Sequence, residues 1–164
     1  MSEDALRSVL DATASDLLAY FERRARVRDD AADLLAETML HAWRRVASMP
    51  DEPERRRMWL FTIAANVLAN QRRSYRRRTA LVQKVRGNLV APLEADQAEI
   101  LSVRAAVLAL ADAHRELVML IHWDGLTLVK AAEVLGLNPS TARGRYATAR
   151  SILRDALAEA SSVV

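Results

Sequence analysis

Residues 126–150, LTLVKAAEVLGLNPSTARGRYATAR, carry the pattern from which the fold of this chain is read. Thr127 stands as N-cap to a helix whose apolar residues, Leu128, Ala131, Ala132 and Leu135, recur at helical spacing. Gly136 follows where a left-handed residue closes a helix without a Cβ clash. Asn138 and Pro139 restart the chain, Asn138 as N-cap and Pro139 at the first helical position, where its missing N–H is one of the unsatisfied donors anyway. A turn this tight, with the small Ala132 where the helices cross, predicts a helix-turn-helix.

The second helix of the pair separates a packing face from a binding face. Ala142, Tyr146, Ala149, Leu153 and Leu157 fall on one side, while Ser140, Thr141, Arg143, Arg145 and Arg150 project elsewhere. Arginine bonds a guanine edge bidentately or a phosphate, and a helix N-terminus offers backbone N–H groups to phosphate. These residues therefore read as a DNA major-groove helix. A helical hairpin with a solvated arginine face is the competing reading of the same residues.

Composition agrees with an all-helical protein. The chain has 164 residues, 51% of them hydrophobic, with four glycines, four prolines and two phenylalanines set against abundant Ala, Leu and Arg. The net charge of +3 balances 24 basic against 21 acidic residues, so the distribution of charge says more than its sum. Without cysteine, disulfides, thiolate metal sites and a cysteine nucleophile are excluded. There is no apolar run of membrane-spanning length and no signal-peptide pattern, which predicts a cytoplasmic protein without a membrane partner.

Upstream, a first helix is predicted over residues 8–28, ending in the solvated run Arg23, Arg24, Arg26 and Arg28. A second, over residues 30–48, has Leu34, Leu35, Thr38, Met39, Ala42, Trp43 and Val46 as its apolar face. Asp33 and Glu37 lie four apart on it, and His41 four beyond; this draws an incomplete metal site, and an acidic surface for a partner is the preferred reading. Residues 49–54, MPDEPE, form a turn. A third helix over residues 55–78 sets Trp59, Leu60, Ile63, Val67 and Leu68 toward the core and ends in Arg72, Arg73, Arg76, Arg77 and Arg78. So many like charges suit a polyanion, and Tyr75 among them suits stacking on an unpaired base. Residues 79–97, with Gly87, Asn88 and Pro92, read as a linker. Helices over residues 98–110 and from Asp112 to a Gly125 stop then buttress the helix-turn-helix, with His114 and His122 as surface or packing residues.

In this order and spacing, the stretches DLLAETMLHAW (33–43), MWLFTIAANVLANQRR (58–73) and GLTLVKAAEVLGLNPSTARGRYATAR resemble the bacterial sigma factors of the extracytoplasmic-function type. The resemblance implies an all-α fold of two small helical domains joined by a linker. Residues 1–78 would be region 2, residues 79–97 the linker, and residues 98–164 region 4 with its helix-turn-helix. It further implies a specificity subunit of RNA polymerase, with no catalytic residues, metal or cofactor. Asp33, Leu34, Glu37 and Thr38 would contact core RNA polymerase. Arg57, Asn66, Asn70, Arg72, Arg73 and Arg76 would hold and open the −10 element. Ser140, Thr141, Arg143, Arg145 and Arg150 would read the −35 element of promoter DNA. An anti-sigma factor is a further partner the resemblance suggests.

This chain departs from the family pattern at Ala36, Ala65 and Asn70, where Gln, Arg and Asp are usual. Lys130 replaces a Glu, so the reciprocal capping box with Thr127 is missing. Gly144 in the reading helix costs about 1 kcal/mol relative to Ala. Two other readings stay open on sequence: a helix-turn-helix regulator that works without being a polymerase subunit, and a helical protein-interaction module.

Overall fold

The structure, a computed structural model, describes residues 3–25, 28–86 and 100–161. Among these, seven α-helices and one 3₁₀ turn follow one another with no strand. The chain divides into two compact units, Met1–Asn88 and Leu89–Val164.

In the first unit, α1 (Glu3–Glu22), α2 (Arg28–Arg44) and α3 (Pro53–Arg86) pack pairwise into a three-helix bundle. Its centre is aromatic. Tyr20 meets Phe21 and Phe61 edge to face, with centroids 5.1 and 5.6 Å apart, so α1 is keyed to α3 by ring geometry as well as by area. Leu60, Ile63, Val67 and Leu68 are buried as their spacing predicts. A 3₁₀ turn at Val46–Ser48 and the buried Met49 anchor the connection into α3, where the Arg56 Nε donates to the Pro50 carbonyl at 2.9 Å.

Arg24, in the arginine run after α1, is not at the solvated helix end that was expected, and Arg26 lies outside the described residues. The helix stops at Glu22, and Arg24 folds back so that Nη1 donates to the Tyr20 carbonyl at 3.1 Å, with its guanidinium 3.9 Å from the Tyr20 ring centroid. A terminal carbonyl and an aromatic face thus bury Arg24 against its own helix. Arg28 opens α2 instead of closing α1. The third helix continues past Arg78, which makes residues 79–86 helical; the rest of the expected linker, residues 87–97, lies outside the described residues.

In the second unit, α4 (Ile100–Ala109), α5 (Asp112–His122), α6 (Leu128–Val134) and α7 (Pro139–Ser161) build on a single long helix. Helix α7 packs on each of the other three. Val107 and Leu110, Val118 and Met119, and Ala149 form a shared core, against which Tyr146 and Leu153 lie. Gly125, at φ 69°, turns the chain after α5, and the Leu126 N–H returns to the Leu120 carbonyl at 2.9 Å.

Candidate nucleic-acid interface

The helix-turn-helix forms with the caps its residues dictate. Thr127 is extended, and its hydroxyl accepts from the Lys130 N–H at 3.3 Å. Gly136 takes φ 63°, which allows the Leu137 N–H to reach the Ala132 carbonyl at 2.8 Å. The Asn138 side-chain oxygen then accepts from both the Ser140 N–H, at 2.9 Å, and the Ser140 hydroxyl, at 2.7 Å. The start of α7 is therefore fixed by side-chain chemistry within two residues on either side of Pro139.

Ala142 and Ala149 are fully buried, which sets the rotational phase of α7 and so decides what it presents. At 100° per residue, the line opposite the core runs through Ser140, Gly144, Ala147 and Ser151, all small and exposed. Arg143 and Arg150 flank it on one side, Thr141 and the half-buried Arg145 on the other. Arg143 and Arg145 thus face opposite flanks of α7. Tyr146 is tied to the end of α5, its hydroxyl 2.9 Å from His122 Nε2 with the rings stacked at 6.1 Å, and the Arg150 guanidinium lies 5.9 Å from the same ring.

On α3 the sequence-selected residues divide between two faces. Asn66, Asn70 and Arg73 stand at i, i+4 and i+7, all exposed, and the Arg73 Nη2 contacts the Asn70 side-chain oxygen. Arg76 is exposed beside them, Arg72 is half-buried toward one flank, and Tyr75 is 49% exposed. Arg57 does not join this group. Nine residues before Asn66, it points half a turn away, pairs with Asp16 of α1 at 3.1 Å and covers the Phe61 ring at 4.8 Å.

The outer face of α2 also differs from the sequence expectation. Asp33 and Glu37 are exposed, but Leu34 is 3% and Thr38 0% exposed, and the Thr38 hydroxyl donates to the Leu34 carbonyl at 2.8 Å. Both belong to the bundle core and offer no side-chain surface to a partner. Leu40 and Trp43, 48% and 42% exposed, take their place beside the acids; Trp43 had been assigned to the apolar core face. His41 Nε2 lies 3.6 Å from Glu37, and among the described residues no group of three His, Asp or Glu side chains converges on a metal position.

The family model for Sigma-70 region 2 matches residues 10–78, which span most of the three-helix bundle. Over 155 residues the chain is 30% identical to the ECF RNA polymerase sigma factor EcfG of Rhodopseudomonas palustris, with 92% of this chain and 83% of that protein covered. The chain belongs to the ECF RNA polymerase sigma factors. It is also 27% identical to the sigma factor SigL of Mycobacterium tuberculosis over 158 residues, covering 94% of this chain and 89% of SigL. Among solved structures it is similar to the sigma factor RpoE of Bartonella quintana in complex with the anti-sigma factor NepR. That match has a TM-score of 0.66 at 27% identity, and covers 94% and 95% of the two chains. CnrH, solved with the cytosolic domain of CnrY, shares the fold at a TM-score of 0.67 and 22% identity, covering 96% of this chain and 90% of CnrH.

As a sigma factor, the protein directs transcription initiation, and the regulator that works without polymerase is not favoured. Among the described residues no helix is long and apolar enough to cross a membrane. Sequence reasoning missed two elements of this sigma factor's surface. Leu40 continues the Asp33 and Glu37 line at i+7, a signal masked by the apolar residues found on every side of α2. Arg154 continues the Arg143 and Arg150 row, a signal present in the spacing but beyond the motif that ends at Arg150.

Proposed function

We propose that this sigma factor is a promoter-specificity subunit without catalysis of its own, working in the cytoplasm with core RNA polymerase. The helix-turn-helix unit reads the −35 element in duplex form through Ser140, Thr141, Arg143, Arg145 and Arg150 at the start and middle of α7. The bundle of residues 1–78 holds the −10 element on the α3 face of Asn66, Asn70 and Arg73, with Arg72 and Arg76 beside it. Asp33 and Glu37, with Leu40 and Trp43, form the polymerase-facing surface of α2. The residues that follow α3, from Gly87 on, connect the two units on the polymerase. An anti-sigma factor is the natural restraint, since the similar RpoE of Bartonella quintana was solved with one.

The observation that carries this reading is the capped start of α7, which holds an exposed row of cationic and hydroxyl side chains on a helix-turn-helix. Its test is reconstitution. The protein mixed with bacterial core RNA polymerase is expected to co-elute on a sizing column and to start transcripts from defined genomic fragments, with starts lost on single-base changes in the upstream element. Free protein emerging at its own volume beside excess core enzyme would overturn it.

A further inference from the structure

We propose that Arg154 is an additional DNA contact of this sigma factor, one that grips the phosphate backbone and reads no base. The inference rests on the reading of α7 as the −35 helix and extends it by a turn and more beyond Arg150. Arg143, Arg150 and Arg154 are all exposed, and their separations of seven and four residues keep them within about 40° of one another around the helix. They form one row. Ala149, fully buried, lies between about 100° and 140° away around the helix and fixes that orientation. Asp155 projects about 100° further round and does not interrupt the row.

Arginines that serve the fold of this protein are tied to it. Arg24 donates to the Tyr20 carbonyl, Arg56 to Pro50, Arg57 to Asp16 and Arg115 to Leu108. Among the described residues no carboxylate or carbonyl holds Arg143, Arg150 or Arg154. Arg150 alone touches the fold, at the Tyr146 ring 5.9 Å away, and a row of three guanidinium groups with no anionic partner repels itself until an anion is placed along it.

Geometry then separates the two ends of the row. A reading helix enters the major groove with its N-terminal residues on base edges. Arg154 lies eleven residues beyond Arg143, about 16 Å along the axis, whereas the groove is about 12 Å wide. With Arg143 over the bases, Arg154 has passed the groove mouth and meets phosphates alone. It adds affinity and orientation without sequence information.

The experiment uses holoenzyme reconstituted with wild type, Arg154→Gln and Arg154→Lys, binding a mapped promoter and a panel of single-base −35 variants over a range of salt. Thermal unfolding of each free protein confirms folding. Arg154→Gln is expected to flatten the log–log salt slope by about 0.9 and to weaken binding on the order of five-fold at about 0.15 M salt. The same factor should apply to every −35 variant, and Arg154→Lys should recover most of the loss. An unchanged slope in a folded variant overturns the contact, and a loss that depends on the base overturns its assignment to phosphate. If wild-type holoenzyme itself shows no dependence on the −35 sequence, the reading of α7 falls and this inference falls with it.

Discussion

His122 Nε2, at the last residue of α5, lies 2.9 Å from the Tyr146 hydroxyl one-third of the way along α7. The bond joins the buttress of the second unit to α7 one turn before Arg150, whose guanidinium faces the same tyrosine ring. Both partners are in part open to solvent, so the bond contributes about 0.5–1 kcal/mol. Tyr146→Phe keeps the ring and removes only the hydroxyl. It is expected to lower unfolding free energy by that amount in urea, and Tyr146→Phe combined with His122→Ala should lose less than the two single effects added. Strict additivity would show that the two side chains are not coupled.

Gly144 and Gly136 are expected to respond in opposite directions to alanine. No atom lies within 4 Å of a Cβ added at Gly144, in the middle of an exposed helix, so Gly144→Ala should stabilise by about 0.5–1 kcal/mol. Gly136 has φ 63°, and Gly136→Ala should destabilise by about 1–2 kcal/mol, with Gly136→Asn milder. Urea midpoints of the three variants decide this. If Gly144→Ala also weakens promoter binding while stabilising the free protein, the bare backbone there is a place of close approach to DNA.

Arg57 and Asn66 are expected to separate fold from reading on one helix. Arg57→Ala should cost under about 1 kcal/mol of stability, as a partly exposed ion pair does, and Asp16→Asn should duplicate that loss without adding to it. Promoter opening, followed by permanganate reactivity of unpaired thymines, should survive Arg57→Ala and fail in Asn66→Ala. Failure of opening in Arg57→Ala with unfolding unchanged would restore Arg57 to the DNA-binding set.

The two faces of α2 give a matching pair. Leu34→Ala removes a buried side chain and should cost about 2–5 kcal/mol. Trp43→Ala should leave stability within about 1 kcal/mol and instead weaken capture by core polymerase by more than about 1 kcal/mol, measured by fluorescence titration. Equal core affinity for wild type and Trp43→Ala would remove this side chain from the interface.

What the sequence disclosed follows from how local each feature is. The caps at Thr127, Gly136 and Asn138 depend on one residue type at one backbone position, and all three form where the spacing puts them. The partner of Arg57 is 41 residues away in α1, beyond any local pattern. Helix α2 carries apolar residues all round, so its spacing puts Leu34 and Thr38 correctly on the core face but Trp43 with them, and it is the resemblance that turns Leu34 and Thr38 toward a partner although they are core. The third helix was ended at its arginine cluster, yet no residue that breaks a helix occurs before Gly87, and charge repulsion along an exposed helix is too weak a stop.

Helix α7, the proposed reading element, is also the main beam of its unit, with Ala142 and Ala149 sealed in the core beneath the residues that face outward. A surface built this way does not remould itself around an imperfect operator, because a shift of one side chain toward the DNA displaces the packing behind it. On the proposed reading the unit is expected to act as a rigid gauge: a mismatched site is met with lost contacts, not with adaptation, and little conformational entropy is surrendered on docking.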